Sequence, residues 1–179
     1  MLRPTAEMWS TSMKTRTQII FTLDASVIIF NLFIKPGSRV VESGTGSGAL
    51  STDFARVLSP IGHLFTFEYN EVRAREASAE FERNGLGSII SVFHRDAYTD
   101  GFVVKDESEK LCVDDEHPVD AVFLDLPKPY NGTSLLFVTR SDRTCVQSAE
   151  TQRTDLLLQS VHRAGAGELQ SAAREPVRA

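Results

Sequence analysis

Cysteine and histidine are scarce in this chain, and neither is spaced for a disulfide framework or a metal centre. Cys112 and Cys145 cannot supply the several bridges of a small secreted domain, so we expect a reducing compartment. No two histidines stand at metal-ligand spacing, and no Ser-His-Asp or Cys-His order is present, so we expect neither a metal site nor a hydrolase triad. The histidines are His63, His94, His117 and His162.

Long hydrophobic runs are absent as well. The most apolar window, residues 19–34, is short for a membrane span and contains Asp24 and Asn31. Residues 1–17 are polar and carry four charged side chains, so no secretory signal is predicted. We therefore expect no membrane partner, and 179 residues allow one domain with a modest core.

The chain also lacks an excess of positive charge. Its formal net charge is −5, which excludes a chain-wide basic clamp for nucleic acid. The acid is concentrated in residues 98–120, which hold eight carboxylates and two lysines. Such a run is usually a solvated loop, and we expect one here.

The most informative segment is a glycine-rich stretch, residues 40–48 (VVESGTGSG). A short apolar run ends in Glu42, glycines follow at 44, 46 and 48, and a helix-like segment begins at Ala49. Strand, tight loop and helix in this order are typical of nucleotide-type cofactor sites. A nicotinamide fingerprint would need glycine where the chain has Ala49. The pattern E-x-G-x-G-x-G instead resembles motif I of the S-adenosylmethionine-dependent methyltransferases.

Strand-like and helix-like segments alternate through the first 130 residues. This order predicts an α/β fold, Rossmann-like, with a parallel sheet and flanking helices. Periodicity and breakers predict helices over 18–33, 49–58 and 71–83, and strands over 39–42, 63–68, 89–93 and 121–124. In helix 18–33 the predicted core row is Ile20, Leu23, Val27, Phe30 and Ile34.

The pattern changes after Tyr130. Residues 131–179 contain a single Phe, Tyr or Trp and no lysine. We expect residues 1–130 to form the catalytic domain and 131–179 a divergent, weakly structured tail. Within the tail, 135–138 is a candidate strand and 155–161 a candidate helical turn or two, and no further strands of a doubly wound sheet are predicted.

Four acidic residues stand at or just past predicted strand ends: Glu42, Glu68, Asp96 and Asp125. Parallel sheets bind ligands beyond these ends, so the shared placement favours a site. Glu68 is placed to accept both ribose hydroxyls of an adenosine group, the alternative being an exposed strand-end acid. Asp96 is placed to accept an adenine amino group, with Ala97 leaving room for the ring, or to serve as a helix cap or loop acid.

Asp125 opens the stretch D-L-P-K-P-Y, whose prolines make a rigid frame for holding a substrate group. A plain turn residue is the alternative. Glu42 is placed either to hold the methionine amino group or to brace the loop. Gln18 and Ile20 are candidates for the cofactor mouth, although Ile20 also suits a core, and Arg73 reaches either a ligand or solvent.

Several segments in order resemble one family, the catalytic subunit of eukaryotic tRNA (adenine(58)-N1)-methyltransferase. Residues 2–9 resemble its P-T-P-E-L-W segment, and 16–20 its H-R-T-Q-I-L/I motif. Residues 42–48 look like its E-S-G-T-G-S-G loop, 60–64 like P-x-G-H-L/V, and 123–127 like F-L-D-x-P.

The resemblance implies S-adenosyl-L-methionine as cofactor and direct methyl transfer to N1 of an adenine in tRNA. Asp125 is the implied catalytic residue, and its neighbours Leu124, Leu126 and Pro127 are expected to bind substrate. The implied cofactor contacts are Gln18, Ile20, Glu42, Ser43, Gly44, Thr45, Gly46, Ser47, Gly48, Ala49, Leu50, Glu68, Arg73, Asp96, Ala97 and Asp125.

The family further implies a nuclear heteromer, a heterotetramer with a noncatalytic tRNA-binding subunit. An acidic catalytic chain would then borrow a basic surface from its partner. Against that family the chain is expected to be truncated at both ends, without the small N-terminal β-rich domain and the later strands. Tyr130 replaces the usual Trp, and we expect no family resemblance beyond it.

Two other classes remain open from the residues. One is another methyltransferase of the same fold, acting on a protein or a small molecule. The other is a noncatalytic, truncated isoform that binds cofactor or a partner, which the divergent tail favours.

Overall fold

Helices and strands alternate through the middle of the described residues, and the last four strands follow one another with no described helix between them. The computed structural model describes residues 5–105, 113, 117–126, 145–148 and 157–159. The helices are α1 (Ala6–Ser12), α2 (Thr22–Asn31), α3 (Ala49–Leu58) and α4 (Glu71–Arg83). The strands are β1 (Arg39–Ser43), β2 (His63–Glu68), β3 (Ile90–His94), β4 (Ala121–Asp125), β5 (Cys145–Ser148) and β6 (Leu157–Gln159).

The strands form one sheet in the order β3-β2-β1-β4-β5-β6. Strands β1 to β5 pair in parallel, and β6 is antiparallel to β5. The chain runs outward from β1 through β2 to β3, then returns to the other side of β1 as β4. The strand order therefore reverses between β1 and β4, where sheets of this kind bind ligands. This confirms the predicted α/β fold with a parallel sheet.

Local signals define the two central helices. Helix α3 follows Gly48, whose φ of +82° ends the loop, and α4 follows Asn70, whose side chain accepts the Arg73 N–H at 3.1 Å. Helix α4 ends at Asn84, and Gly85 with φ +74° turns the chain away. The predicted bounds of α3, β2 and α4 are confirmed at both ends.

The sheet is buried on both faces. Alternation along β1 sends Val40 into one core and Val41 into the other. The first core lies under the helices and includes Ile28, Phe54 and Phe81 from α2, α3 and α4. The second core lies on the opposite face, and its members are Val41, Phe65, Phe67, Ala97, Phe102, Val104, Val113, Val119, Val122 and Leu124.

The acidic stretch is not simply a solvated loop. Phe102, Val104, Val113 and Val119 from this stretch are at most 5% exposed and pack on the second face of the sheet. Val104 and Val113 exchange backbone hydrogen bonds of 3.0 and 2.8 Å. The many carboxylates of this stretch predict a solvated loop. Its apolar residues are nevertheless buried, because they cover the second face of the sheet.

Helix α2 corrects the sequence prediction in two ways. It begins at Thr22 rather than at residue 18, and the predicted core row is largely exposed. Leu23 is 84% exposed and Phe30 is 75% exposed, while Ala25 and Ile28 face the first core. Ile34 is buried in this core and Ile20 packs against it, as predicted, so the predicted row is wrong only for Leu23, Val27 and Phe30 on the helix itself.

The tail contributes strands where none were predicted. β5 pairs with β4, and β6 pairs with β5. The helical turns expected over 155–161 are wrong at 157–159, which are strand, and the candidate strand at 135–138 lies outside the described residues. The domain boundary at residue 130 stays a prediction.

Candidate functional site

A pocket opens where the strand order reverses, at the carboxyl ends of β1 and β4. Residues 17–20 and 44–50 line it on two sides, together with Glu42, Phe123 and Asp125. Eleven predicted site residues are in this lining: Gln18, Ile20, Glu42, Gly44, Thr45, Gly46, Ser47, Gly48, Ala49, Leu50 and Asp125. The other described candidates are outside it: Ser43, Glu68, Arg73, Asp96, Ala97, Leu124 and Leu126.

The loop requires glycine for steric reasons. At Gly44, with φ +100°, a Cβ would lie 2.5 Å from the backbone oxygen of Asp125. At Gly48, with φ +82°, it would lie 2.8 Å from the Phe81 ring. Both positions combine a left-handed backbone with no room for a side chain. The loop therefore packs directly against the end of β4 and against α4.

Glu42 is buried and forms the centre of a hydroxyl network. Its Oε2 accepts hydrogen bonds from Ser51 at 2.6 Å and Thr66 at 2.7 Å, and the Thr45 and Thr66 hydroxyls lie 2.6 Å apart. Burial raises the pKa of Glu42 from its ordinary 4.5 to about 7, and the nearby carboxylates of Asp125 and Glu68 add to that rise. The network joins β1, β2, α3 and the loop, so Glu42 braces the loop.

Glu68 is buried at the end of β2 and connects the loop to α4. Its Oε2 accepts the Gly46 N–H at 3.1 Å. Its Oε1 accepts the Asn70 N–H at 2.9 Å and the Arg73 Nε and Nη2 at 3.1 and 2.7 Å. Glu68 thus stands beside the glycine loop, with Arg73 as its counter-ion.

Asp96 is engaged by its own turn. Its Oδ1 accepts the Tyr98 N–H at 2.9 Å, and its Oδ2 accepts the Thr99 hydroxyl at 3.0 Å. Ala97 is buried in the second core. The structure shows the loop-acid arrangement for Asp96, and its adenine contact stays a prediction.

Asp125 is exposed and lines the pocket, whereas its neighbours do not. The side chain of Leu124 is fully buried in the second core, so only its backbone remains available for the predicted substrate contact. Leu126 packs partly against the same core, and Pro127 lies outside the described residues. Alternation along β4 explains the difference between Leu124 and Asp125, because successive residues of a strand face opposite sides of the sheet.

Sequence reasoning missed three lining residues, Thr17, Ile19 and Phe123. Phe123 was available from alternation, since it lies two residues before Asp125 on the same strand. The predicted helix over 18–33 includes Ile19 and begins just after Thr17, so neither residue was a candidate for the pocket.

No group of three or more metal-ligating side chains occurs in the part of the chain that the structure describes. Nor do the described residues include a helix long and apolar enough to cross a membrane.

Comparisons with known proteins identify relatives of this chain. The catalytic subunit of tRNA (adenine(58)-N(1))-methyltransferase from Dictyostelium discoideum is 52% identical over 128 residues, covering 71% of this chain and 38% of that protein. The corresponding subunit from Candida albicans is 36% identical over 174 residues, covering 95% of this chain and 49% of that protein. This chain therefore spans less than half the length of these curated relatives.

Solved structures resemble the fold. An S-adenosylmethionine-dependent O-methyltransferase from Thermotoga maritima has a TM-score of 0.69 and 30% identity, covering 83% of this chain and 51% of that one. The tRNA (m1A58) methyltransferase TrmI from Aquifex aeolicus has a TM-score of 0.66 and 26% identity, covering 81% and 53%.

The family match extends beyond the motifs seen in the sequence. A family model described as tRNA methyltransferase complex GCD14 subunit matches residues 1–161. The expectation that the resemblance ends at Tyr130 is therefore wrong. The chain belongs to the family of the tRNA methyltransferase complex GCD14 subunit.

Proposed function

We propose that this chain is the catalytic subunit of a tRNA (adenine-N1)-methyltransferase that takes its methyl group from S-adenosyl-L-methionine. The observation that carries the proposal is the juxtaposition of the glycine loop, Glu68 and Asp125 around the point where the strand order reverses. Family membership selects tRNA over other methyl acceptors.

The residues present fit this cofactor. Ala49 and Leu50 bring the N-terminal turn of α3 into the pocket lining, where backbone N–H groups and the helix dipole favour the carboxylate of an amino acid. Glu68 offers a buried carboxylate beside the loop for ribose hydroxyls. The carboxylate of Asp125 supplies negative charge at the pocket for a cationic ligand, whereas Glu42 carries only part of a charge near pH 7. When bound, the cofactor supplies an electrophilic methyl group on a sulfonium.

Asp125 is the proposed catalytic residue. Methylation places a positive charge on the adenine ring at N1. An exposed carboxylate at the end of β4 can accept a hydrogen bond from the exocyclic amino group and stabilise that charge. The glycine loop positions the donor, and Asp125, held against Gly44, positions the acceptor on the same pocket. N1 is paired or stacked in folded tRNA, so the base has to be exposed or flipped to reach Asp125.

A partner subunit completes the proposal. The chain carries a net charge of −5, whereas tRNA is a polyanion that proteins hold with Lys and Arg. We therefore assign tRNA binding largely to a noncatalytic, basic subunit in a heteromer, a heterotetramer by the family resemblance. The nucleus is proposed as the compartment, on the same resemblance. Imaging of the tagged full chain tests the compartment, and sedimentation of the co-expressed subunits tests the assembly.

The deciding experiment measures methyl transfer from labelled S-adenosylmethionine to unmodified tRNA by the full chain co-expressed with its partner. We expect 1-methyladenosine in the digested product, and about a hundredfold slower turnover with Asp125→Asn. Asp100→Asn is the matched control, because Asp100 is exposed and outside the pocket lining. Methylation of protein or small-molecule acceptors instead of tRNA would contradict the substrate. Cofactor binding without turnover would support the noncatalytic reading.

A further inference from the structure

The glycine loop is attached to the segment that precedes α2 through the side chain of Ser47. The Arg16 and Thr17 N–H groups donate to Ser47 Oγ at 2.8 and 2.9 Å. Ser47 Oγ lies 3.2 Å from the Thr17 carbonyl oxygen, to which it donates. One hydroxyl thereby uses its proton and both lone pairs on this segment. Residues 17–20 form one side of the pocket, so Ser47 joins two sides of the same site.

The guanidinium of Arg16 connects the same loop to α4. Nη1 lies 2.8 Å from Glu80 Oε2, and Nη2 donates to the Ser47 carbonyl oxygen at 3.2 Å. The side chains of Arg16 and Glu80 are only 13% and 10% exposed. Charge-assisted hydrogen bonds sheltered from water are stronger than surface ion pairs. Arg16, Ser47 and Glu80 are hereafter called the clasp.

Arg16 itself does not line the pocket, whereas Thr17, Gln18, Ile19 and Ile20 do. The hydrogen bonds that join this segment to the loop converge on Ser47, whose hydroxyl also lies 3.3 Å from the Thr17 hydroxyl. We propose that Arg16 is a positioning residue for the cofactor: it holds residues 17–20 and the Ser47 turn at the spacing that the cofactor needs. This inference rests on the proposed function and adds a residue to it.

The competing explanation is that Arg16 and Glu80 form an ion pair that only stabilises the fold, and two observations argue against it. A buried ion pair adds little stability over an apolar pair of similar size, because desolvation offsets the attraction, although removing one partner alone is costly. Within the described residues, Arg16 Nε is buried without a hydrogen-bond partner, so the arrangement is not optimal for stability. Its contacts instead converge on the loop of the site.

The test measures the Kd of S-adenosylmethionine by calorimetry on the full chain and its variants, corrected for the folded fraction from thermal unfolding. We expect Arg16→Met and Glu80→Gln each to raise Kd about tenfold. The double variant should bind no more weakly than Arg16→Met alone, because both changes open the same clasp. Arg16→Lys keeps the charge opposite Glu80 but cannot reach Glu80 and the Ser47 carbonyl with two separate nitrogens, so it should recover only part of the affinity.

Arg75→Met is the matched control. Arg75 pairs with Glu71 on the exposed side of α4, and its side chain is 76% exposed, so Kd should stay within about twofold. With the partner subunit and tRNA present, Arg16→Met should raise the cofactor KM while kcat stays within about twofold.

Unchanged Kd in folded Arg16→Met, or in folded Glu80→Gln should Arg16→Met not fold, would overturn the inference and leave the proposed function intact. Equal loss in the Arg75→Met control would also overturn it. Absence of cofactor binding by the unaltered chain would instead overturn the proposed function, and this inference with it.

Discussion

Arg73 binds Glu68 through a single carboxylate oxygen: the guanidinium Nε and Nη2 both donate to Glu68 Oε1, at 3.1 and 2.7 Å. With the Asn70 N–H, that oxygen already accepts three hydrogen bonds. Oε2 accepts only the Gly46 N–H among the described residues, and so has one lone pair left. One ribose hydroxyl can bind Glu68 in this arrangement. On the proposed function, a second would require one of the donors to Oε1, such as Arg73, to give up its hydrogen bond.

The first prediction concerns Glu68 itself. Glu68→Ala should weaken S-adenosylmethionine binding at least about tenfold, because both the ribose acceptor and the partner of the Gly46 N–H are lost. Calorimetry on the purified full chain measures this. Glu71→Ala, a neighbouring exposed carboxylate on α4, serves as control and should leave Kd unchanged. Equal affinity of Glu68→Ala and the unaltered chain would refute the ribose role.

The second prediction separates backbone strain from steric clash in the loop. Gly44→Ala and Gly85→Ala both place a side chain at positive φ, +100° and +74°. Only at Gly44 does the new Cβ meet backbone, 2.5 Å from the Asp125 oxygen, whereas nothing lies within 4 Å at Gly85. Gly85→Ala should cost about 1 kcal/mol of unfolding free energy. Gly44→Ala should cost several-fold more and displace Asp125, with loss of cofactor binding.

Urea denaturation gives the two unfolding free energies, and calorimetry gives the two affinities. Similar costs for the two variants would show that the loop can move away from β4.

The third prediction is a pH dependence from Glu42. Burial raises its pKa to about 7, so between pH 4.5 and 7 the folded chain holds a proton that the unfolded chain has released. The unfolding free energy therefore falls as pH rises through this window, by about 3 kcal/mol from this group, and levels above pH 7. Glu42→Gln keeps an oxygen for the Ser51 and Thr66 hydroxyls and cannot ionise.

The stability of Glu42→Gln relative to the unaltered chain should consequently improve from pH 5 to pH 7 and then remain constant. Denaturation at pH 5, 6, 7 and 8 measures the difference, in which other titrating groups cancel. A difference that does not change with pH would contradict the shifted pKa of Glu42.

The parts of the fold that sequence predicted well have local signals at both ends. Helix α3 stands between Gly48 and Pro60, and α4 between Asn70 and Gly85. The strand ends that carry Glu42, Glu68 and Asp125 follow from short apolar runs that stop at an acid. These elements place the pocket, whose position at the strand ends was therefore predictable.

What sequence could not predict depends on distant contacts. Residues 18–21 satisfy a helical pattern, yet α2 begins only at Thr22, while the adjoining Arg16 and Thr17 are tethered to Ser47, about thirty positions away. The contact between Arg16 and Glu80 spans 64 positions. No periodicity or motif encodes such pairs. The apolar residues among the acidic run were similarly hidden, because only the assembled sheet shows that its second face needs covering.

The fourth prediction is that Asp53 destabilises the chain. Asp53 lies on α3 and is 1% exposed, and neither carboxylate oxygen has a hydrogen-bond partner among the residues that the structure describes. Burial raises its pKa, so the folded chain keeps the proton to higher pH than the unfolded chain, and stability falls as pH rises above 3.8. Asp53→Ala removes the unpartnered group and suits a helix, so it should raise the unfolding free energy at pH 7 by about 1 kcal/mol.

Asp24→Ala, at an exposed position of α2, is the control and should change the unfolding free energy by less than about 0.5 kcal/mol. The advantage of Asp53→Ala should shrink as pH falls toward and below 3.8, because Asp53 then becomes protonated in the unfolded chain as well as in the folded chain. An advantage independent of pH would assign the gain to helix propensity rather than to a buried charge.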